Sequence, residues 1–187
     1  MTSETKKFVL PLFAIYFLTA LYWFFFKVPY YQYLFLFLGL TTGAYFLDLD
    51  HLIYWLYTNP HTEESRLARL AIFKYDFRSV VKLIQSTQYQ HTSLIFHHFF
   101  FQVVVSLISF FVFTSSDNIF GMAFLLAINS HLLIHEYHDY RFSPLQLQDW
   151  LFAREERQLP ANYLGKYIAV FMVLNLLFFI LLLRSVT

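Results

Sequence analysis

Cysteine is absent from the chain, which excludes disulfides, iron–sulfur clusters and thiolate catalysis. Any metal would therefore have to be held by nitrogen and oxygen. Charge is scarce as well. Asp, Glu, Lys and Arg make up 13% of the residues, against about 25% in an ordinary soluble domain. The formal net charge of +1 gives no ground for nucleic-acid binding. What fills the chain instead is apolar: 58% of residues are hydrophobic and 22% aromatic, with 25 Phe and 14 Tyr. The medium around much of such a chain should be lipid, and 187 residues suit a single helical domain over 1–187 with little room for a separate soluble one.

The apolar residues come in runs. Phe8 to Phe26 carries no charge and is long enough to cross the roughly 30 Å of a bilayer core. A secretory signal is the competing reading of this basic-then-apolar start, but no small-x-small cleavage site follows the run, so it reads as a retained first span. Lys27, Pro29 and the Tyr30-Tyr31 pair suit an interfacial turn. Val28 to Leu47 is a second span, a third lies near Ser93 to Phe113, and a fourth runs from Ile119 to about Ile134. The turn between the last two, Ser115 to Asn118, is too short to cross anything, so they run antiparallel. Tyr167 to Leu183 is the fifth. Between them lie two polar stretches. Residues 61–90 place Leu70, Phe73, Phe77, Val80, Val81 and Ile84 at helical steps with basic residues elsewhere, the pattern of an amphipathic helix on an anionic membrane surface or against the bundle ends. Ser143-Pro144 opens a short helix expected to run to about Gln158. The expected fold is thus all-α: a polytopic membrane bundle of about five transmembrane helices with two amphipathic cytoplasmic segments. Five spans put the polar stretches and the N-terminus on one side and leave only Lys27 and Arg184 of the 13 lysines and arginines on the other. The positive-inside rule then makes the N-terminal side cytoplasmic, in a cell inner membrane.

Against this background the ionisable residues stand out. Asp48, Asp50 and His51 close the second span; His91, His97 and His98 open the third; His131, His135, His138 and Asp139 close the fourth. All fall at the cytoplasmic ends. Ionisable groups at the edge of an apolar span are costly and face a partner, a cavity or a metal. A lone histidine in a span is more often hydrogen-bonded to a neighbouring helix, and His61 and His138 are read that way. Three convergent sets are another matter, and Asp48, Asp50, His51, His91, His97, His98, His131 and His135 are the expected metal-ligand set. Zinc comes first, with manganese or iron as alternatives. Helical spacing puts Asp48 with His51, and His131 with His135, on common faces. Asp50 points about 200° from Asp48, so it joins the site only if the helix unwinds or if it supports a ligand. In the third segment His91 and His98 align on a helix, which favours His98, while His97 is turned by about 100°. A neighbouring carboxylate, Asp50 or Asp139, would serve as general base beside a metal-bound water. The site's depth suits a membrane lipid or another amphiphile as substrate.

These segments resemble the bacterial inner-membrane metal-dependent hydrolases, also called LexA-binding. Leu47-Asp48-Leu49-Asp50-His51 is similar to that family's Pro-Asp-x-Asp-His signature, with Leu in place of Pro. His91 to His97 resembles its spaced histidine pair, one residue longer here, and Ser130-His131-Leu132-Leu133-Ile134-His135 resembles its Ser-His-Leu-Leu stretch, with His135 where the family has Asp. The resemblance covers about residues 40–140 and implies a metal-dependent hydrolase with His97, rather than His98, as ligand. Two other functions compete: a di-iron hydroxylase or desaturase, which would need more histidine boxes than the single His97-His98 doublet, and a non-enzymatic metal-binding membrane protein.

Overall fold

The computed structural model describes residues 3–87, 91, 94–153 and 159–186. Over these residues the chain is helical and contains no strand. Helix α1 (Ser3–Phe25) and α2 (Tyr30–Phe46) form an antiparallel pair, separated by Lys27 at a positive φ of 55°. A short α3 (Leu49–Ile53) runs into a π-helical turn (Tyr54–Thr58) that stops at Asn59. The amphipathic stretch is two helices rather than one, α4 (Glu63–Phe73) and α5 (Phe77–Thr87). Thr62 caps α4 by accepting from the Ser65 backbone N–H, with Glu63 and Glu64 favourably placed in the first turn. Tyr75, at φ 54°, turns the chain between the two. Helix α6 (Phe99–Ser115) and α7 (Ile119–Phe142) are joined by a turn whose Asn118 accepts from the Gly121 N–H. Helices α8 (Pro144–Leu151) and α9 (Ala161–Arg184) complete the fold. Ser143 stands at the start of α8 without a side-chain capping bond, and the expected extension to Gln158 runs into 154–158, outside the described residues.

Helix α7 is the central post, packed by α1, α2, α6, α8 and α9. Its approach to α2 is very close. A Cβ added to Gly39 would lie 2.5 Å from the Phe120 carbonyl oxygen, and one added to Gly43 would lie 2.4 Å from that of Phe124. Gly39 and Gly43 are four apart on α2 and meet Ala123 and Ala127, four apart on α7. Small residues at this spacing let two helix backbones touch where no water is present to drive association. Buried Leu36, Leu40, Leu47, Met122, Leu126 and Ile128 fill the core around the seam.

The outer surface is apolar. Phe13, Phe17, Phe24, Phe111 and Val173 are all exposed, whereas soluble monomers rarely show contiguous apolar patches of more than a few hundred Å². By length and composition, Ile119–Phe142 and Asn162–Arg184 suffice to cross a membrane; Val9–Phe25 and Phe99–Ser115 are shorter apolar helices. Only 17% of the apolar window of α9 is buried against protein, so that helix presents most of its surface outward.

Candidate metal centre

Helix α2 stops at Phe46, one turn past the Gly43 contact, and the chain turns at Leu47-Asp48 before α3 begins. This break separates Asp50 from Asp48 and His51. Asp48 and His51 line a cavity of about 370 Å³, together with His97 from the segment before α6 and His131 and His135 of α7. Leu12, Phe13 and Tyr16 of α1, Phe37 and Leu40 of α2, and Val81 and Ile84 of α5 line the rest. Asp48 and four imidazoles line part of the cavity; the remainder, Thr41 and the tyrosine hydroxyls apart, is hydrocarbon.

The imidazoles are close neighbours. Ring centres lie 5.0 Å apart for His131 and His135, 5.6 Å for His97 and His135, and 6.2 Å for His51 and His97. Imidazoles sharing one zinc ion at about 2.0–2.1 Å have ring centres roughly 5 Å apart, so these spacings are of the right order. Among the described residues, however, no three His, Asp or Glu side chains stand gathered at ligating geometry around one point.

The hydrogen bonds behind the rings assign their protons. His97 Nδ1 lies 3.2 Å from Asp50 Oδ2. The same carboxylate accepts from the backbone N–H of Ile95 at 3.0 Å and of Phe96 at 2.6 Å. A carboxylate taking two backbone N–H groups is an acceptor, so His97 Nδ1 carries the proton that points at it. His131 Nδ1 lies 2.7 Å from the Ala44 carbonyl oxygen, which can only accept, so that Nδ1 likewise carries the proton. Metal-binding histidines are oriented in this way, by a carboxylate or backbone carbonyl on the other ring nitrogen. Burial, reinforced by the neighbouring imidazoles of His97, His91 and His131, pushes His51 down to about 3. Burial pushes the Asp48 carboxyl up to about 6, partly offset by His97.

The remaining predicted residues stand elsewhere. Asp50 is buried behind His97 and does not line the cavity. His91 is also behind the lining, its Nδ1 2.8 Å from His51 Nδ1 and its Nε2 2.8 Å from Glu64 Oε1. His98 sits at the start of α6, where its Nδ1 accepts from the Phe100 N–H at 3.3 Å. The helical alignment favouring His98 over His97 does not apply, because α6 begins only at Phe99 and the preceding described residues are non-helical. Asp139 accepts from His138 Nδ1 at 3.0 Å and is not among the lining residues. It lies about 12 Å along the axis from His131 and about 80° round it. This leaves Asp48 as the one carboxylate in the cavity lining among the described residues.

Two acids went unremarked in the sequence. Glu64 receives Trp55 Nε1 at 2.5 Å, Thr87 Oγ1 at 2.6 Å and the His91 ring on a single oxygen. Burial alone would raise its carboxyl, but these three bonds outweigh it and hold the group below its ordinary range. Glu136 is buried on α7, where it accepts from Gln102 Nε2 at 3.0 Å; Tyr167 in turn donates to Gln102. Comparison with protein-family models, with curated proteins and with solved structures finds no match for this chain.

Proposed function

We propose that this protein is a membrane-embedded, metal-dependent hydrolase acting on a lipid-like ester or phosphoester. In this reading the five apolar helices span the inner membrane with the N-terminus in the cytoplasm, and the Asp/His cavity lies at the cytoplasmic face. One observation carries it: His97 and His131, from separate segments, line one cavity, each with its Nδ1 held from behind by an acceptor oxygen. That is the donor chemistry a zinc site requires. His51 and His135 complete the nitrogen set, with zinc preferred over manganese or iron for imidazole-rich donors. The resemblance of the Asp48–His51 stretch to metal-dependent hydrolases points the same way.

When bound, a divalent ion would bring the pKa of its water toward 7 and supply hydroxide. The chain's own residues do the rest. Asp50 locks the His97 ring, and Ala44 holds that of His131. Asp48, the cavity carboxylate, would serve as the proton acceptor there, replacing Asp50 and Asp139 in that role. The hydrocarbon walls from α1, α2 and α5 receive an acyl chain, and a volume of about 370 Å³ lies within the roughly 300–1,000 Å³ of small-ligand pockets. Such a pocket places the ester or phosphoester of an amphiphile beside Asp48 and excludes bulk water from its tail.

The test uses full-length protein in detergent, loaded with zinc and offered acyl esters and phospholipids. Release of acid or phosphate that stops on chelation, returns with zinc and is abolished by Asp48→Asn is the expected outcome. Product release insensitive to both chelator and Asp48→Asn would overturn it.

A further inference from the structure

The hairpin of α4 and α5 has two apolar sides, and only one is spent on packing. On the inner side Ala68 of α4 and Val80 of α5 are buried with Trp55 of the π-helical turn, and Ile72 and Leu83 pack beside them. The outer side ends in the turn between the helices, where Phe73 is 80% exposed, Tyr75 80% and Phe77 70%. Three aromatic rings thus stand clear of the core on alternate residues. Two cations, Lys74 and Arg78, are interleaved with them and are exposed as well. The acid of this stretch, Asp76, is occupied. Its carboxylate accepts from the Ser79 N–H at 3.2 Å and from the Ser79 hydroxyl at 2.6 Å, which caps α5.

The turn itself does not call for the central ring. The Asp76 N–H donates to the Ala71 carbonyl oxygen at 2.9 Å, and the Tyr75 N–H to that of Ile72 at 3.0 Å. These are the two bonds of a Schellman motif, with Tyr75 as its left-handed residue at φ 54°. Glycine ordinarily takes this position, because a Cβ is strained there. A tyrosine carries that strain, and a ring 80% exposed gains too little packing to offset it. Strain kept where the fold gains nothing from it points to a use for the side chain.

We propose that the α4–α5 turn is an interfacial anchor: Phe73, Tyr75 and Phe77 enter the headgroup region of an anionic leaflet, and Lys74 and Arg78 bind its phosphates. Aromatic side chains favour the membrane–water boundary, where an apolar body and a polar edge both find partners. Each basic residue beside an anionic surface adds to the attraction. The hairpin lies between α2 and α6 in the chain, so the turn sits on the side of the bilayer where those two helices meet the cavity. Anchoring has a consequence there. Helix α5 begins at Phe77 and gives Val81 and Ile84 to the cavity wall, so a seated turn holds that wall against the leaflet. The inference rests on the reading that the long apolar helices span a membrane, and not on the metal or on hydrolysis.

Because the chain has no cysteine, a single introduced one reports its own position. Full-length protein carrying bimane on Phe73→Cys or on Phe77→Cys is reconstituted into phosphatidylcholine vesicles with and without phosphatidylglycerol. Val173→Cys, on the exposed face of α9, marks the bilayer interior. With phosphatidylglycerol, the tip labels should be quenched by nitroxides on the upper acyl chain and should lose quenching by aqueous acrylamide. Acrylamide quenching should return without phosphatidylglycerol, and with Lys74→Glu and Arg78→Glu combined. Tyr75→Gly relieves the turn, so it should be at least as stable as wild type in a detergent unfolding titration and yet regain part of the acrylamide quenching. Tip labels open to acrylamide in both vesicles, with Val173 shielded, overturn the proposal alone; a Val173 label open to acrylamide takes the membrane reading down with it. Equal burial with and without phosphatidylglycerol also overturns it, as does shielding from both quenchers, the mark of a protein contact.

Discussion

Two buried polar clusters share helix α7, and their contrast shows why one is read as a site. At the middle of α7, Asn129 donates to Ser109 at 2.8 Å and accepts from Ser106 at 3.1 Å, and Ser130 donates to Asn175 of α9 at 3.0 Å. These groups answer one another across α6, α7 and α9, and none of them lines the cavity. They behave as interhelical glue, the ordinary use of polar side chains inside a helix bundle. One and five residues after Ser130, His131 and His135 join His97, His51 and Asp48 around a cavity. There the bonds to Asp50 and Ala44 hold one nitrogen of His97 and of His131 from behind the cavity lining. A cluster that closes on itself stabilises a bundle; one oriented from behind, toward a space, is prepared to bind.

The comparison can be broken most severely at the α2–α7 seam, on which both clusters depend. Gly43→Val would push a branched side chain against the Phe124 carbonyl and Ala127. Overpacking of this kind costs about 3 kcal/mol or more when backbone blocks the way, and an unfolding titration in detergent should show it. Wild-type stability in that variant would mean that the seam is looser than described. A much smaller effect is expected in the glue. Ser109→Ala removes one donor–acceptor from the Asn129 network, and interhelical hydrogen bonds in membranes average about 0.6 kcal/mol. The same titration should register that small loss with metal content unchanged; a change in metal content would join the two clusters and end the contrast.

How much of this was legible in the sequence depends on whether the chain stayed helical. Periodicity and apolar runs located the long helices, and the pairing of His131 with His135 followed from a spacing that α7 preserves. Asp48 and His51 also reach the cavity together, since the turn at Leu47-Asp48 leads straight into α3. The readings that went astray needed non-helical backbone. Helical alignment favoured His98, but α6 begins only at Phe99 and the cavity takes His97, as the resemblance implied; Asp50, its carboxylate filled by the Ile95 and Phe96 N–H groups, stands behind His97 in the ligand-supporting place its phase had left open and not as a ligand. Asp139, expected as a general base, lies one further turn of α7 beyond His135 and off the cavity lining. The split between α4 and α5 turns on Tyr75 at positive φ, for which a tyrosine gives no warning. Glu64 was hidden by its setting, one acid in a stretch read for its apolar face and its basic residues. The Gly39/Gly43 spacing was there to be read as a helix contact, but its partner face on α7 is defined only by the fold.

The central claim is that the imidazole cluster, and not the chain's polar content in general, holds a metal. Elemental analysis of detergent-purified protein measures this directly, with wild type, Ser109→Ala, Asp50→Asn and His97→Ala in parallel. The account predicts a stoichiometric ion, zinc first, in wild type and Ser109→Ala. Affinity should be weakened about 10- to 100-fold in Asp50→Asn, the range for loss of a group that orients a ligand, and no ion should be retained in His97→Ala. Wild-type protein that stays metal-free after zinc loading, or His97→Ala that retains as much zinc as wild type, would contradict it.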